Sequence, residues 1–445
     1  MLIPLGVFLE LVGVSLIMWR LRGRWLGHTG AVFAVVLFFY HGVTEVVQVA
    51  FPNQNPYRLI TNAGALGTTL VMAGAALIIF AVMYLLALGR GDPEPLSVSA
   101  LEPLWHARVP LFAMAIATAY FRVTGQVSGD LAGASTASGY WLTGLVLEYG
   151  DFSMALAILA LIYRWPREGT LVVLTGVLAL TTALSGASRL LMLIAVLMTL
   201  GSAARYGRVI RLSRLVVLGV FGLALMLAIS AARQAVGREM LKEGGSKDRL
   251  QGFASGISSI QGNSDAQAGV LYDFVYRFDG NSFSAIVRDS FDKGMVPMGP
   301  YPLAADAALV VPSFLYPAKL SIDPMLMNEK FLAVLYFALP YGDYNVMGMG
   351  HLYAMFGTAG FLLAAALGGA LFGRLDRWLR TRPTLGGAIV AIGLLRCATY
   401  YEWGLSIYLT TARSLLTMYI LLMGWLALRA MLHRFRMVTP ERLSA

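Results

Sequence analysis

The chain is poor in charge and has almost no sulfhydryl chemistry. Only 13% of its 445 residues are charged, against about a quarter in soluble globular domains. With 58% hydrophobic residues, that scarcity excludes a soluble fold. A single cysteine, Cys397, sits in an apolar run and excludes an internal disulfide. His, Cys and carboxylate residues nowhere cluster at ligand spacing, so no metal is expected. No glycine-rich loop ends in Lys-Ser or Lys-Thr, which removes the usual cradle for ATP phosphates. No cofactor is expected at all. Internal repeats and low-complexity tracts are missing too, and with them the two-fold repeat of many carriers.

What is present is apolar length. Segments 2–19, 28–50, 62–88, 106–124, 139–163, 168–185, 189–204, 214–232, 346–373, 384–401 and 411–431 each approach the ~20 residues that cross a bilayer. The expected fold is an all-α polytopic membrane protein with about eleven transmembrane helices. Segment 2–19 is followed by Arg20, Arg22 and Arg24, and reads as a first span rather than a cleavable signal. Arginines crowd the short loops at 20–26, 89–105, 164–167, 205–213 and 374–383, while the alternate loops carry only Arg58. By the positive-inside rule the N-terminus is expected in the periplasm and the C-terminus in the cytoplasm of an inner membrane.

Between Arg233 and Asn345 the crossing stops. The expected organisation is one integral domain: helices 1–8 over residues 1–232, a large periplasmic loop over 233–345, and helices 9–11 with a cytoplasmic tail over 346–445. The loop holds ten Lys or Arg against twelve Asp or Glu, a net of −2, so the overall charge of +10 is topology signal and no nucleic-acid partner is expected. Residues 266–292 have the apolar spacing of a helix, with Arg277, Asn281, Ser284 and Arg288 on one polar stripe. The alternative is a break at Asp279-Gly280 with Asn281 as N-cap. Leu303–Tyr316 is apolar but too short to span, and suits a re-entrant or interfacial segment.

Several residues carry competing readings. Arg189, in Ser185-Gly-Ala-Ser-Arg189, is either a snorkelling arginine or a phosphate clamp at the outer surface. Arg277 and Arg288 have acids at helical spacing, Asp273 and Asp292, which can absorb them as i,i+4 pairs. Lys319 reads by default as a solvated lysine. His351 is either an interfacial histidine or a base for a hydroxyl nucleophile. Gly357, Gly360, Gly368 and Gly369 suit close helix packing. Glu10, Glu45, Glu148, Asp151, Arg396 and Glu402 lie in or beside spans, as internal ion pairs or as a proton path.

Taken in order, four stretches resemble the bacterial O-antigen polymerase and ligase superfamily, most of all Wzy-type repeat-unit polymerases. They are Ser185–Arg189, the Arg288 helix followed by Gly299, Val311-Pro312 to Pro317-Ala-Lys319, and His351-Leu-Tyr353-Ala-Met-Phe356-Gly357-Thr-Ala-Gly360. The resemblance spans about residues 170–375. It implies a GT-C-like helical fold and inverting, metal-independent glycosyl transfer between undecaprenyl-pyrophosphate-linked glycans. Arg189 and Arg288 would grip the pyrophosphate, and His351 would serve the acceptor hydroxyl. Arg277, Lys319, Arg233, Arg122 and Tyr353 would bind substrate. Membrane lipids, a chain-length regulator and a flippase are the partners it implies. A histidine at 351 is more like the ligases, so transfer to lipid A core or protein stays open; so does a polar-lipid transporter.

Overall fold

Long runs of Leu, Val, Ala and Ile must satisfy their own backbone amides inside a bilayer, and the helix does this within one segment. The computed structural model describes residues 2–22, 24–50, 61–89, 96–124, 141–165, 167–184, 189–208, 211–237, 246–261, 263–265, 267–270, 279–311, 315–316, 329–337, 348–382, 384–400 and 406–438. Every regular element among them is helical. The main helices are α1 (Leu2–Leu21), α2 (Thr29–Phe38), α3 (Thr44–Ala50), α4 (Ala63–Leu88), α5 (Arg108–Thr124), α6 (Trp141–Arg164), α7 (Glu168–Leu184) and α8 (Arg189–Arg205). They continue with α9 (Leu212–Val236), α10 (Ser246–Ile260), α11 (Asn281–Asp292), α12 (Tyr301–Val310), α13 (Glu329–Tyr336), α14 (Gly348–Arg380), α15 (Leu385–Thr399) and α16 (Ser406–Val438).

Among the described residues six segments are long and apolar enough to cross a membrane: Leu2–Leu21, Thr29–Val49, Ala63–Leu88, Ser213–Val236, Gly348–Arg380 and Tyr408–Leu432. The chain is therefore a multi-pass helical membrane protein. Shorter apolar stretches lie in α5, α7, α8 and α15. Each expected crossing segment coincides with helix.

Apolar side chains have no reason to leave lipid for one another, so helix association rests on close contact and on polar links. Helix α4 shows both. Helices α1 and α14 pack along it. A β-carbon at Gly6 would sit 2.6 Å from the Leu70 backbone, and one at Gly369 or Gly373 would run into the Phe80 or Tyr84 carbonyl. At one end, Asp376 of α14 accepts from Thr29 N (3.1 Å), Thr29 Oγ1 (2.6 Å), Gly30 N (3.0 Å) and Tyr84 Oη (2.9 Å). One carboxylate thus caps α2 from a distance and ties it to α4 and α14. Helices α5 to α8 form a second group, and α15 bridges it to α2 through α8.

The insert is folded onto this bundle. Helix α10 lies along α9, with Gly256 tight against the Ala231–Ala232 backbone. Helix α11 packs against both α4 and α14, and α12 against α13 and α16. A single helix over 266–292 does not form; residues 279–280 are non-helical and α11 starts at Asn281. Asn281 is not its cap either. The Asp279 carboxylate takes Asn281 N (2.9 Å), Ser282 N (3.1 Å) and the Ser282 hydroxyl, because its short side chain reaches back over the first turn. The apolar stretch from Leu303 is helical only to Val310, and buries Asp306.

Helix α14 is broken. Gly357 has φ 65° and ψ −164°, a region only glycine occupies without strain, so this residue turns the chain and is not a packing glycine. The expected span 346–373 is accordingly two pieces, 348–356 and 358–380.

Candidate functional site

The break at Gly357 frees carbonyls that an unbroken helix would use. Met298 N donates to Ala354 O (3.1 Å) and Gly299 N to Met355 O (3.0 Å), so the loop after α11 fills the gap. Two glycines shape that loop. Gly294, at φ 94°, ends α11, and Gly299 at φ 77° turns its amide toward Met355. The spacing of Arg288 and Gly299 therefore reflects one structural unit, an arginine helix and the loop that stitches it to the His351 helix.

Arg288 stands at the edge of this unit. Its Nε and Nη2 donate to Asp292 Oδ2 (3.1 Å) and Oδ1 (2.6 Å), the i,i+4 pair that the spacing allowed. The guanidinium also lies against the Tyr353 phenol. Partial burial pulls its pKa down, but Tyr353 and Asp292 outweigh that and hold it above the ordinary arginine value. The pair is one-third and one-half exposed, so one side of the guanidinium faces outward and an incoming anion can compete with Asp292. Next to it, Lys293 and then Asn62 draw the Asp289 carboxyl below its usual range. Asn62 Nδ2 reaches Asp289 Oδ1 at 3.3 Å, tying α11 to the start of α4.

Tyr353, which the resemblance implied would bind substrate, is wholly buried. It sits in an aromatic group with Phe291 (5.4 Å between ring centres) and Phe361 (6.0 Å), because the break lets α14 fold against α11. His351 is buried as well. Two residues apart on a helix lie about 200° apart around its axis, so His351 is not on the Tyr353 face that meets Arg288. Arg288 and Tyr353 are brought together; His351 shares their helix but not their face. Arg233 is half-buried in the last turn of α9, a helix packed chiefly on α7 and α10. Arg122 and Arg189 are placed by their backbone alone, in the last turn of α5 and at the start of α8. Arg277 and Lys319 lie outside the described residues, as does Glu402. Arg396 stacks over Phe152 at 4.8 Å.

A second polar group was missed by sequence reasoning. Between α2 and α3 the residues Phe39–Val43 form a π-helical turn, a distortion often found at functional sites. There His41 Nδ1 lies 2.7 Å from Asn281 Oδ1, Asn281 Nδ2 donates to His41 O (2.9 Å), and Gly280 N donates to Tyr40 O (3.3 Å). Because the amide nitrogen of Asn281 is committed to a carbonyl, its oxygen must accept, and His41 carries its proton on Nδ1. Glu45 and Glu10 are buried close by. The available signal was a His-Gly pair in the middle of an apolar run with two glutamates also inside spans.

The same turn borders an open side cleft. It has a volume of about 390 Å³ and lies among α2, α7, α8 and α9, lined by apolar side chains such as Phe39, Met192, Leu200, Leu218 and Phe221. Met192 is three residues from Arg189, within one helical turn. Among the described residues no group of three His, Cys, Asp or Glu could hold a metal ion. Comparison with protein-family models, curated proteins and solved structures gave no match.

Proposed function

We propose that this chain polymerises undecaprenyl-pyrophosphate-linked oligosaccharide repeat units by inverting, metal-independent glycosyl transfer. In this proposal the eleven helical segments all cross the inner membrane in a GT-C-like arrangement, with the N-terminus and the insert periplasmic and the C-terminus cytoplasmic. One observation carries it: the insert's arginine helix and its Gly299 loop are stitched to the broken helix that bears His351. That arrangement gives the order and spacing of the polymerase-like stretches a physical cause.

Two features support the substrate class. The cleft beside α8 is apolar and open on one side, as a polyprenyl chain requires. In this reading Arg189, at the start of the same helix, and Arg288, outward-facing beside Asp292, take the pyrophosphate. Negative charge grows on that leaving group as the glycosidic bond breaks, so fixed guanidiniums stabilise the transition state more than the ground state. His351 then takes the proton of the acceptor hydroxyl, and entry of the sugar must open the packing that buries it. A chain-length regulator and a flippase are the partners this activity calls for.

Ligation to lipid A core or protein is the nearest alternative, favoured by the histidine at 351. A polar-lipid transporter is the second, favoured by the buried Glu10–Glu45 pair beside a π-helical turn. A deletion strain analysed for surface polysaccharide separates them. Loss of long chains with single repeats still displayed supports polymerisation; long chains stranded on the carrier indicate ligation; lipid-linked repeats trapped in the cytoplasm indicate transport. At the site, Arg288→Ala and His351→Gln are each expected to lower chain extension at least a hundredfold, with membrane abundance unchanged, as loss of about 3 kcal/mol of transition-state stabilisation. Near-normal extension in either variant removes that residue from the mechanism.

A further inference from the structure

Away from the insert, the end of the bundle where α4 stops and α14 ends carries a recess of about 500 Å³. It is lined by Leu86 and Ala87 of α4 and by Arg374, Arg377, Trp378 and Thr381. We infer that this recess binds the headgroup of an anionic phospholipid, with the acyl chains along the α4–α14 seam.

The charge is uncompensated. Arg374 and Arg377 flank Asp376, but that carboxylate is turned inward and spent on four donors from α2 and α4. Among the described residues neither arginine makes an ion pair, and both are exposed. Their neighbour Arg380 already serves the end of α4, with Nη2 donating to Leu88 O at 3.1 Å, and the Arg377 guanidinium lies beside Gly89. The positive potential that remains therefore faces outward. Two planar guanidiniums one turn apart suit a phosphodiester, which accepts on two oxygens.

Depth matches as well as charge. Leu363, Leu367 and Leu371 continue the face of α14 that ends in Arg374 and Trp378, at steps of three or four residues. All three leucines are strongly exposed, as are Val82 and Leu86 on α4. Exposed aliphatic side chains on two spans mark lipid contact, and a tryptophan just above them, with Arg382 over its ring at 5.8 Å, marks the headgroup level. The recess is thus at the height of a phosphate, above a strip fit for acyl chains. Basic pockets between membrane helices recognise anionic headgroups by this combination.

The test uses the full-length protein purified in mild non-ionic detergent. It is titrated with phosphatidylglycerol or cardiolipin in phosphatidylcholine, and bound lipid is counted by native mass spectrometry. The anionic lipids are expected to be retained about tenfold over phosphatidylcholine, from two arginines at the membrane surface. Arg374→Gln with Arg377→Gln is expected to abolish that preference; if the pair fails to fold, Arg377→Gln alone should weaken it several-fold. Unchanged retention overturns the site. So does an equal loss in Arg211→Gln with Arg214→Gln, a control pair beside Glu168 outside the recess. Displacement of the lipid by millimolar inorganic phosphate would also overturn it, as a free-anion site.

Discussion

At the scale of single residues, Gly357 does the most with the least. Its backbone conformation interrupts α14 and frees the carbonyls that the Gly299 loop then occupies. Space is not the constraint, since an added β-carbon would meet only Pro297 at 3.5 Å. The constraint is the dihedral pair, which costs an L-residue about 1–3 kcal/mol. Gly357→Ala is therefore expected to lower the melting temperature in detergent and to reduce activity by more than the stability loss alone, because the Arg288 helix shifts with its stitch. A melting temperature equal to wild type would mean that α14 is continuous. The arginine itself reads differently. Arg288 already has its partner in Asp292, as local spacing foretold, while its neighbour Tyr353 came from a contact 65 residues away that no local rule contains.

At the scale of elements, hydropathy is a local property and the apolar helices were legible for that reason. Helices stand at the apolar runs, whereas of the expected helix 266–292 α11 covers only the end from Asn281, and the apolar positions 271–278 lie outside the described residues. Breaks are not local. The π-helical turn at Phe39–Val43 and the kink at Gly357 both persist because the insert supplies hydrogen bonds to them, from Asn281 and Gly280 in one case and from Met298 and Gly299 in the other. Sequence periodicity sees neither partner. The link between α1 and α2 shows how such non-local packing becomes measurable. His28 precedes Thr29, which Asp376 caps, and it is buried there. Burial lowers its pKa from 6.5 to about 4; Asp376 opposes this, and Arg380, Arg205 and Arg24 reinforce it. A depressed histidine pKa means that the unfolded chain binds the proton first. Stability from the neutral ring is thus complete above pH 6.5 and drains away as pH falls toward 4, by up to about 3 kcal/mol. Melting curves between pH 7 and 4 should show that loss, and His28→Asn should flatten it. An unchanged slope in the variant would place the acid sensitivity elsewhere.

At the scale of the whole molecule, two ends of one bundle carry different chemistry. One end gathers the insert, Asn62, Asp279, Arg288 and the kinked helix; the other gathers Arg20, Arg24, Arg205, Arg377 and Arg380 around Asp376. The excess of positive charge lies at the second end, and moving it across a membrane is what the positive-inside rule penalises. In the proposed orientation the insert is periplasmic, which is also where a lipid-linked glycan must be for polymerisation. The chain lends itself to a direct measurement, because its one native thiol, Cys397, is buried and gives little background. Ser255 is exposed on α10 in the insert, and Thr381 is exposed at the arginine-rich end. In intact cells a membrane-impermeant maleimide should label Ser255→Cys and spare Thr381→Cys. Permeabilisation should expose both. The reverse pattern would put the insert in the cytoplasm, where no undecaprenyl-linked repeat awaits polymerisation, and the transporter reading would gain what the polymerase lost.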